Sequence, residues 1–195
     1  EGWLDRQKEK RPMMWFAPHL HQAAYDIMKD IKILVLDVDG TLTNGKIYID
    51  DKDNSFKAFN VKDGFALVNW LKLGGEVVIL TGKKSNIVER RAKELGIKYV
   101  IQGSKNKTQD LKKLLDELDI TFENTAYMGD DLNDIGVMKK VGLTACPKDS
   151  VAEVLEICDF ISTKNGGDAA VREFLEFIMK QNGMWQEVLN KYSNE

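Results

Sequence analysis

Two aspartates, Asp37 and Asp39, directly follow an apolar run at residues 31–36. Such a run predicts a buried strand, and strand side chains alternate between faces, so the two carboxylates point the same way. Two like charges 4 Å apart repel by about 4 kcal/mol at an effective dielectric constant near 20. A divalent cation or a shared proton usually offsets this repulsion. Two solvated acids in a turn remain the alternative on this motif alone.

A second acidic cluster lies far along the chain. Asp130, Asp131 and Asp134 follow a strand-like run at residues 125–128 and precede a helical pattern. Helix capping accounts for one of these acids, but not for three acids within five residues. Two acidic clusters at equivalent strand ends predict one shared site for a hard cation such as Mg²⁺, which prefers oxygen ligands.

Two further segments offer groups that could hold a phosphate. Thr81 and Gly82 end an apolar run, where a hydroxyl and free backbone N–H groups could bind phosphate oxygens. Lys107 begins a helical pattern after a polar loop and could neutralise a transferring phosphoryl group, with a solvated surface lysine as the alternative. A P-loop is excluded because the first glycine of that motif would fall at Val77.

These motifs lie within an alternation of strand and helix patterns. That alternation predicts an α/β fold, a Rossmann-like parallel sheet with helices on both faces. Residues 46–59 interrupt it and predict a protruding β-hairpin. The predicted strands are residues 31–36, 76–80, 98–101, 125–128, 142–145 and 159–162. The predicted helices are residues 64–73, 85–95, 107–118, 132–140, 150–156 and 168–181.

The chain divides into residues 1–30, an N-terminal extension of unknown role, residues 31–181, one domain, and residues 182–195, a C-terminal tail. A net charge of −3 gives no electrostatic footprint for nucleic acid, and the apolar runs are too short to span a membrane. The two cysteines, Cys146 and Cys158, do not have the spacing of metal ligands or of a disulfide framework. This cysteine usage favours the reducing environment of the cytoplasm.

Taken in order, the motifs resemble those of the haloacid dehalogenase-like phosphatases, over about residues 31–181. The motifs are not separated by a large insertion, and in this respect the chain is similar to the capless branch of that superfamily. The hairpin would then stand in place of a cap domain. The motifs that carry the resemblance are Asp-x-Asp-Gly-Thr at 37–41, Thr-Gly at 81–82, Lys107, and Gly-Asp-Asp-x-x-Asp at 129–134.

Three other segments look like the octulosonate 8-phosphate phosphatases of this superfamily, which form tetramers around their hairpins. They are residues 59–64, the loop from Gln102 to Lys107, and residues 166–173. The resemblance implies a homotetramer that hydrolyses a sugar-acid phosphate, most closely 3-deoxy-D-manno-octulosonate 8-phosphate, with Mg²⁺ as its cofactor.

The resemblance also implies roles for the acids. Asp37 would be the nucleophile that forms an aspartyl-phosphate, and Asp39 the general acid and then the general base. Mg²⁺ would be held by the Asp37 carboxylate, the Asp39 backbone carbonyl and Asp130, with Asp131 and Asp134 as supporting acids. Thr81 and Lys107 would hold the phosphoryl oxygens. The positions implied to touch the substrate are Asp39, Asn60, Val61, Lys62, Asp63, Gly64, Gly82, Lys83, Arg91 and Lys107.

Lys83 leaves the substrate open, because octulosonate-type enzymes usually have an arginine there, which can bind a carboxylate bidentately. The phosphatases for ketodeoxynononate 9-phosphate, a nine-carbon sugar acid, also lack that arginine. Two other classes are alternatives. One is a non-catalytic tetramerisation module, whose known examples have lost motif acids that this chain retains. The other is a phospho-acceptor receiver, whose single phosphorylated aspartate lacks the Asp-x-Asp-Gly pair.

Overall fold

A computed structural model describes residues 26, 28 and 30–194. The predicted N-terminal extension therefore lies almost wholly outside the described residues. The strands are β1 (Ile33–Leu36), β2 (Tyr48–Ile49), β3 (Ser55–Phe56), β4 (Glu76–Leu80), β5 (Tyr99–Ile101), β6 (Thr125–Met128), β7 (Leu143–Cys146) and β8 (Phe160–Ile161). The helices are α1 (Val61–Lys72), α2 (Asn86–Leu95), α3 (Lys107–Leu118), α4 (Ile135–Met138), α5 (Ala152–Ile157), α6 (Ala170–Gln181) and α7 (Met184–Ser193).

Six strands form one sheet in the order β5-β4-β1-β6-β7-β8, and every neighbouring pair is parallel. The chain order reverses direction in the sheet at β1, which lies between β4 and β6. Ligands of open α/β sheets bind at the carboxyl ends of the strands beside such a reversal. The predicted α/β fold is confirmed, and the fold locates the site at the ends of β1, β4 and β6.

Helices cover both faces of the sheet, as the alternation predicts. Successive residues of β1 alternate between two apolar cores: Leu34 and Leu36 join one, and Ile33 and Val35 join the other. The first core lies under α1, α2, α6 and α7, and the second under α3, α4 and α5. Both cores make β1 a rigid support for the residues that follow it.

The predicted helix at residues 132–140 is shorter than expected. A 3₁₀ turn at Leu132–Asp134 precedes α4, and the Asp131 side chain caps that turn. Helix α7 was not predicted, because its residues were assigned to a C-terminal tail. It packs Trp185 and Val188 into the core beside α6. Within the described part of the chain, no helix is long and apolar enough to cross a bilayer.

Strands β2 and β3 form the expected hairpin, with Tyr48 paired to Phe56 in an antiparallel ladder. Its turn is held by the Asp50 carboxylate, which accepts hydrogen bonds from the backbone N–H groups of Lys52 and Asn54. The hairpin exposes large apolar side chains, with Ile49 at 73% and Phe56 at 58% of their full accessible surface. A two-stranded hairpin of this kind is marginal in water unless another surface covers it.

Candidate active site

The two acidic motifs meet at the carboxyl ends of β1 and β6, which are neighbours in the sheet. Oxygen atoms of Asp37, Asp130 and Asp134 lie within 4.8 Å of one another, and we call these three residues the carboxylate cluster. Gly40 makes room for it: φ is +91°, and a Cβ atom there would lie 1.9 Å from Oδ2 of Asp130. The turn after β1 therefore requires glycine for both its conformation and its space.

Lys107 supplies the positive charge of the cluster from the first turn of α3. Its ammonium donates to Oδ1 of Asp37 at 3.0 Å and to Oδ1 of Asp134 at 2.8 Å. The side chain is only 5% exposed, so the alternative of a solvated surface lysine is wrong. Burial opposes its charge, but the two carboxylates outweigh burial and raise the pKa of Lys107.

One lysine does not balance three acids, of which Asp37 and Asp134 are buried and Asp130 is half-buried. Burial, aided by the charge of Asp134, raises the pKa of Asp37 to about 6. Burial and the charge of Asp37 raise the pKa of Asp130 to about 8. Clustered carboxylates of this kind hold their negative charge when a divalent cation joins them, and their oxygens are the donors that Mg²⁺ prefers. The donor set therefore fits a magnesium ion.

Asp134 is the most constrained member of the cluster. Its Oδ1 accepts hydrogen bonds from Lys107 and from the hydroxyl of Tyr127, and its Oδ2 accepts from the backbone N–H groups of Asp130 and Asp131. These bonds fit the supporting role expected for Asp134. Asp131 is exposed, and its carboxylate accepts from the backbone N–H of Leu132 at 2.7 Å.

Sequence reasoning missed Tyr127, which lay within the strand-like run at residues 125–128. It is fully buried, and its hydroxyl is part of the polar network. A buried tyrosine hydroxyl usually finds a hydrogen-bond partner. Its position three residues before Asp130, the first acid of the second cluster, was the available signal.

Asp39 lies apart from the carboxylate cluster. Its carboxylate forms an ion pair with Lys57, at the base of the hairpin, which sequence reasoning also missed. The Asp39 side chain is 31% exposed, against 8% for that of Asp37. The two aspartates that open the motif therefore have different surroundings, one buried and one at the mouth of the site.

Thr81 is buried at the end of β4, which pairs with β1 in the sheet. The sequence suggested free backbone N–H groups for phosphate here, but the Thr81 N–H donates to the carbonyl of Ile101 at 2.9 Å and is not free. The hydroxyl remains the group through which Thr81 could bind phosphate. Gly82 is half-buried and Lys83 is exposed, so Lys83 extends from the edge of the site.

The other residues expected to touch substrate divide into two groups. Val61 and Lys62 are exposed on the first turn of α1. Asn60, Asp63, Gly64 and Arg91 line one small pocket beside the turn after β1. Asn60 caps α1 by accepting from the backbone N–H of Lys62 at 2.9 Å.

Gly64 lets Arg91 approach α1, because a Cβ atom there would lie 2.6 Å from the Arg91 guanidinium. The same guanidinium lies 5.7 Å from the ring centre of Phe59, in cation–π range. Arg91 is thus held in the pocket by close packing and by an aromatic ring.

Asp63 has a structural partner that the sequence did not indicate. Its Oδ1 accepts from the backbone N–H of Arg172 at 2.8 Å, at the start of α6, while its Oδ2 is buried without a hydrogen-bond partner in the described structure. Burial raises the pKa of Asp63 to about 6, although the charges of Arg172 and Arg91 oppose that rise.

The stability of the protein should therefore depend on pH through Asp63. A raised folded-state pKa means that ionisation destabilises the fold, with no penalty below the unfolded pKa near 3.8 and the full penalty above pH 6. The unfolding free energy of Asp63→Asn minus that of the unmodified protein is the quantity to compare. We expect this difference to be about 1–1.5 kcal/mol larger at pH 8 than at pH 5. Urea unfolding at both pH values measures this. The exposed Asp51→Asn should show no such change, and a pH-independent difference for Asp63→Asn would contradict the prediction.

The loop before α6 braces the turn after β1. The backbone N–H of Gly167 donates to the carbonyl of Thr41 at 3.2 Å, and a Cβ atom on Gly166 would lie 1.9 Å from the carbonyl oxygen of Gly40. Asn60 reaches the same loop through a 3.4 Å hydrogen bond from Nδ2 to the carbonyl of Gly167. The 166–173 segment is thereby part of the site's support.

Comparison with known proteins gives one consistent group. The haloacid dehalogenase-like hydrolase family profile matches residues 100–175. The 3-deoxy-D-manno-octulosonate 8-phosphate phosphatase of Salmonella typhimurium is 39% identical over 171 residues, which cover 88% of this chain and 89% of the relative. The enzyme of the same name from Escherichia coli K12 is 40% identical over 159 residues, covering 82% of this chain and 85% of the relative.

Solved structures agree. The 3-deoxy-D-manno-octulosonate 8-phosphate phosphatase from Moraxella catarrhalis, in complex with magnesium ion, phosphate ion and a KDO molecule, has a TM-score of 0.85 and 36% identity, covering 88% of this chain and 98% of that one. The cobalt-bound deoxy-D-mannose-octulosonate 8-phosphate phosphatase from Haemophilus influenzae has a TM-score of 0.78 and 31% identity, covering 80% of this chain and 92% of that one.

Proposed function

Because this chain belongs to the 3-deoxy-D-manno-octulosonate 8-phosphate phosphatase family of haloacid dehalogenase-like hydrolases, we propose that it hydrolyses that phosphate monoester with Mg²⁺ as cofactor. The observation that carries the proposal is the position of Lys107 between Asp37 and Asp134 in a buried carboxylate cluster. A tetramerisation module has no need for such a costly cluster of buried charge.

Asp37 is the nucleophile in this proposal. One of its carboxylate oxygens attacks phosphorus, the bond from phosphorus to the sugar oxygen breaks, and Asp39 gives its proton to that oxygen. Asp39 then takes a proton from water, and the water oxygen attacks phosphorus as the aspartyl-phosphate bond breaks. Asp37 is released as a carboxylate, and the products are the sugar acid and inorganic phosphate.

Charge neutralisation must precede the attack, because a phosphate dianion repels an anionic nucleophile. Lys107 and the hydroxyl of Thr81 would bind the phosphoryl oxygens at the ends of β1 and β4. The Asp37 carboxylate, the Asp39 backbone carbonyl and Asp130 would hold Mg²⁺. When bound, that ion supplies positive charge to the phosphoryl group and orients it for in-line attack.

A phosphate-release comparison tests the substrate. We expect kcat/KM for 3-deoxy-D-manno-octulosonate 8-phosphate to exceed that for ketodeoxynononate 9-phosphate by more than about 100-fold, or roughly 2.8 kcal/mol of transition-state discrimination. The reverse ratio would favour the nine-carbon acid. Lys83 is the reason to make this comparison, because a lysine ammonium cannot form the two parallel hydrogen bonds with which an arginine would bind the sugar carboxylate.

We also propose a homotetramer assembled through the β2–β3 hairpin. The apolar side chains that the hairpin exposes support this, with Ile47 at 70% and Ile49 at 73% of full accessible surface. We expect sedimentation equilibrium to give four times the 22.2 kDa chain mass, and Ile49→Asp to give smaller species. A monomeric unmodified protein at micromolar concentration would contradict the proposal.

A cytoplasmic location completes the proposal. Cys146 and Cys158 are both free thiols, one buried and one half-buried, as expected for a protein kept in a reducing compartment.

A further inference from the structure

We propose that Lys57 is a positioning residue that holds the Asp39 carboxylate at the mouth of the site, where the leaving group departs. The inference rests on the proposed function, which makes Asp39 the proton carrier. It concerns a residue outside every motif that carried the family resemblance.

The contact itself is direct. The Lys57 ammonium donates to Oδ1 of Asp39 in an ion pair between side chains that are 17% and 31% exposed. A pair that is partly withdrawn from water keeps more of its Coulomb attraction than a fully exposed pair. Lys57 can therefore restrict the rotation of the Asp39 side chain.

The site separates its charges into two groups. Lys107 binds Asp37 and Asp134 in the buried interior, and Lys57 binds Asp39 nearer the surface. Asp39 is not a member of the carboxylate cluster found among the described residues. The nucleophile and the proton carrier thus have separate ammonium partners.

The fold positions Lys57 between β3 and α1. Strand β3 ends one residue before it, and Asn60 caps α1 three residues after it. Between them, the Phe59 side chain packs against the apolar core. The ammonium group therefore approaches Asp39 from a backbone that is anchored on its α1 side.

Lys57 transfers no proton in this scheme. Lys57 donates a hydrogen bond to Oδ1 while Asp39 carries its proton on Oδ2, and this bond strengthens into an ion pair as that proton passes to the sugar oxygen and the bond from that oxygen to phosphorus breaks. The same pairing aims Asp39 at the water of the second step. A misplacement of about 1 Å in such a group can slow a reaction by about 100-fold.

Single-turnover kinetics with two leaving groups test the proposal. The sugar oxygen needs a proton to leave, whereas p-nitrophenolate does not. We expect Lys57→Met to slow release of the sugar acid by about 10–100-fold, with little change in KM, and release of p-nitrophenol by less than about threefold. Lys57→Arg should recover most of the rate, and Lys52→Met, on the exposed turn of the same hairpin, should match the unmodified protein.

Epistasis gives the second readout. If Lys57 acts through Asp39, Lys57→Met should slow sugar-acid release no further in an Asp39→Asn background. Equal slowing of both leaving groups, a rise in KM alone, or additive losses in the double variant would overturn the proposal. The proposed substrate is wrong if the unmodified protein cleaves aryl and simple alkyl phosphates but not the sugar-acid phosphate. Glycerol phosphate, whose leaving oxygen also needs a proton, then replaces the sugar-acid phosphate in the test of Lys57.

Discussion

Asp37→Asn should lower kcat for phosphate release by about 10⁴-fold or more, because an amide cannot attack phosphorus to form the acyl phosphate. The loss should be the same for sugar-acid and aryl phosphates, since both need the nucleophile. A colorimetric phosphate assay over a long incubation measures it, with protein that has been incubated in excess Mg²⁺.

The fold should survive this substitution. Asparagine keeps the size of Asp37 and removes one charge from a cluster in which the acids repel one another. The thermal unfolding midpoint should therefore be unchanged or higher. Asp116→Asn, which alters an exposed ion pair with Lys112, is the matched control and should keep full activity. Full activity in Asp37→Asn would exclude the covalent mechanism.

Lys107→Met should lower both activity and stability. Removing a charged donor from a transition-state site typically lowers kcat by about 10²–10³-fold. It also leaves Asp37 and Asp134 buried without their cation, and breaking a buried ion pair destabilises proteins by about 3–5 kcal/mol. Phosphate release and urea unfolding at neutral pH measure the two effects.

The stability deficit of Lys107→Met should shrink as pH falls, because protonation of Asp37, whose pKa is raised by burial, removes part of the uncompensated charge. Lys105→Met is the matched control, since Lys105 is exposed in the loop that precedes α3. If Lys107→Met were as stable as Lys105→Met at neutral pH, the buried ion pairs would not have the energetic role assigned to them.

Much of the architecture was predictable because its signals are local. Each motif consists of a strand end and the turn beside it, and hydrophobic periodicity alone locates both. The predicted strand at 31–36 became β1 at Ile33–Leu36, and Asp37 follows it as expected. The N-caps at Ser85 and Asp131 were also predictable, since a capping side chain bonds to backbone only a few residues away.

Other features depend on how distant segments pack. A helix pattern at 107–118 is equally compatible with a solvated or a buried Lys107, and only the arrangement of α3 beside the sheet brings its ammonium to Asp37, 70 residues away. The burial of Asp63 under α6 has the same origin, because its partner Arg172 is 109 residues away. Helix α7 was missed because its two core side chains, Trp185 and Val188, give too weak a helical periodicity of apolar residues.

The sequence by itself thus determined the chemistry at the end of β1: two aspartates two residues apart, a glycine turn, and a second acidic motif to share a cation. Only the tertiary structure decided how the two aspartates differ. Charge pairing is a matter of distance in space, and only the fold places Lys107 beside the buried Asp37 and Lys57 beside the half-buried Asp39.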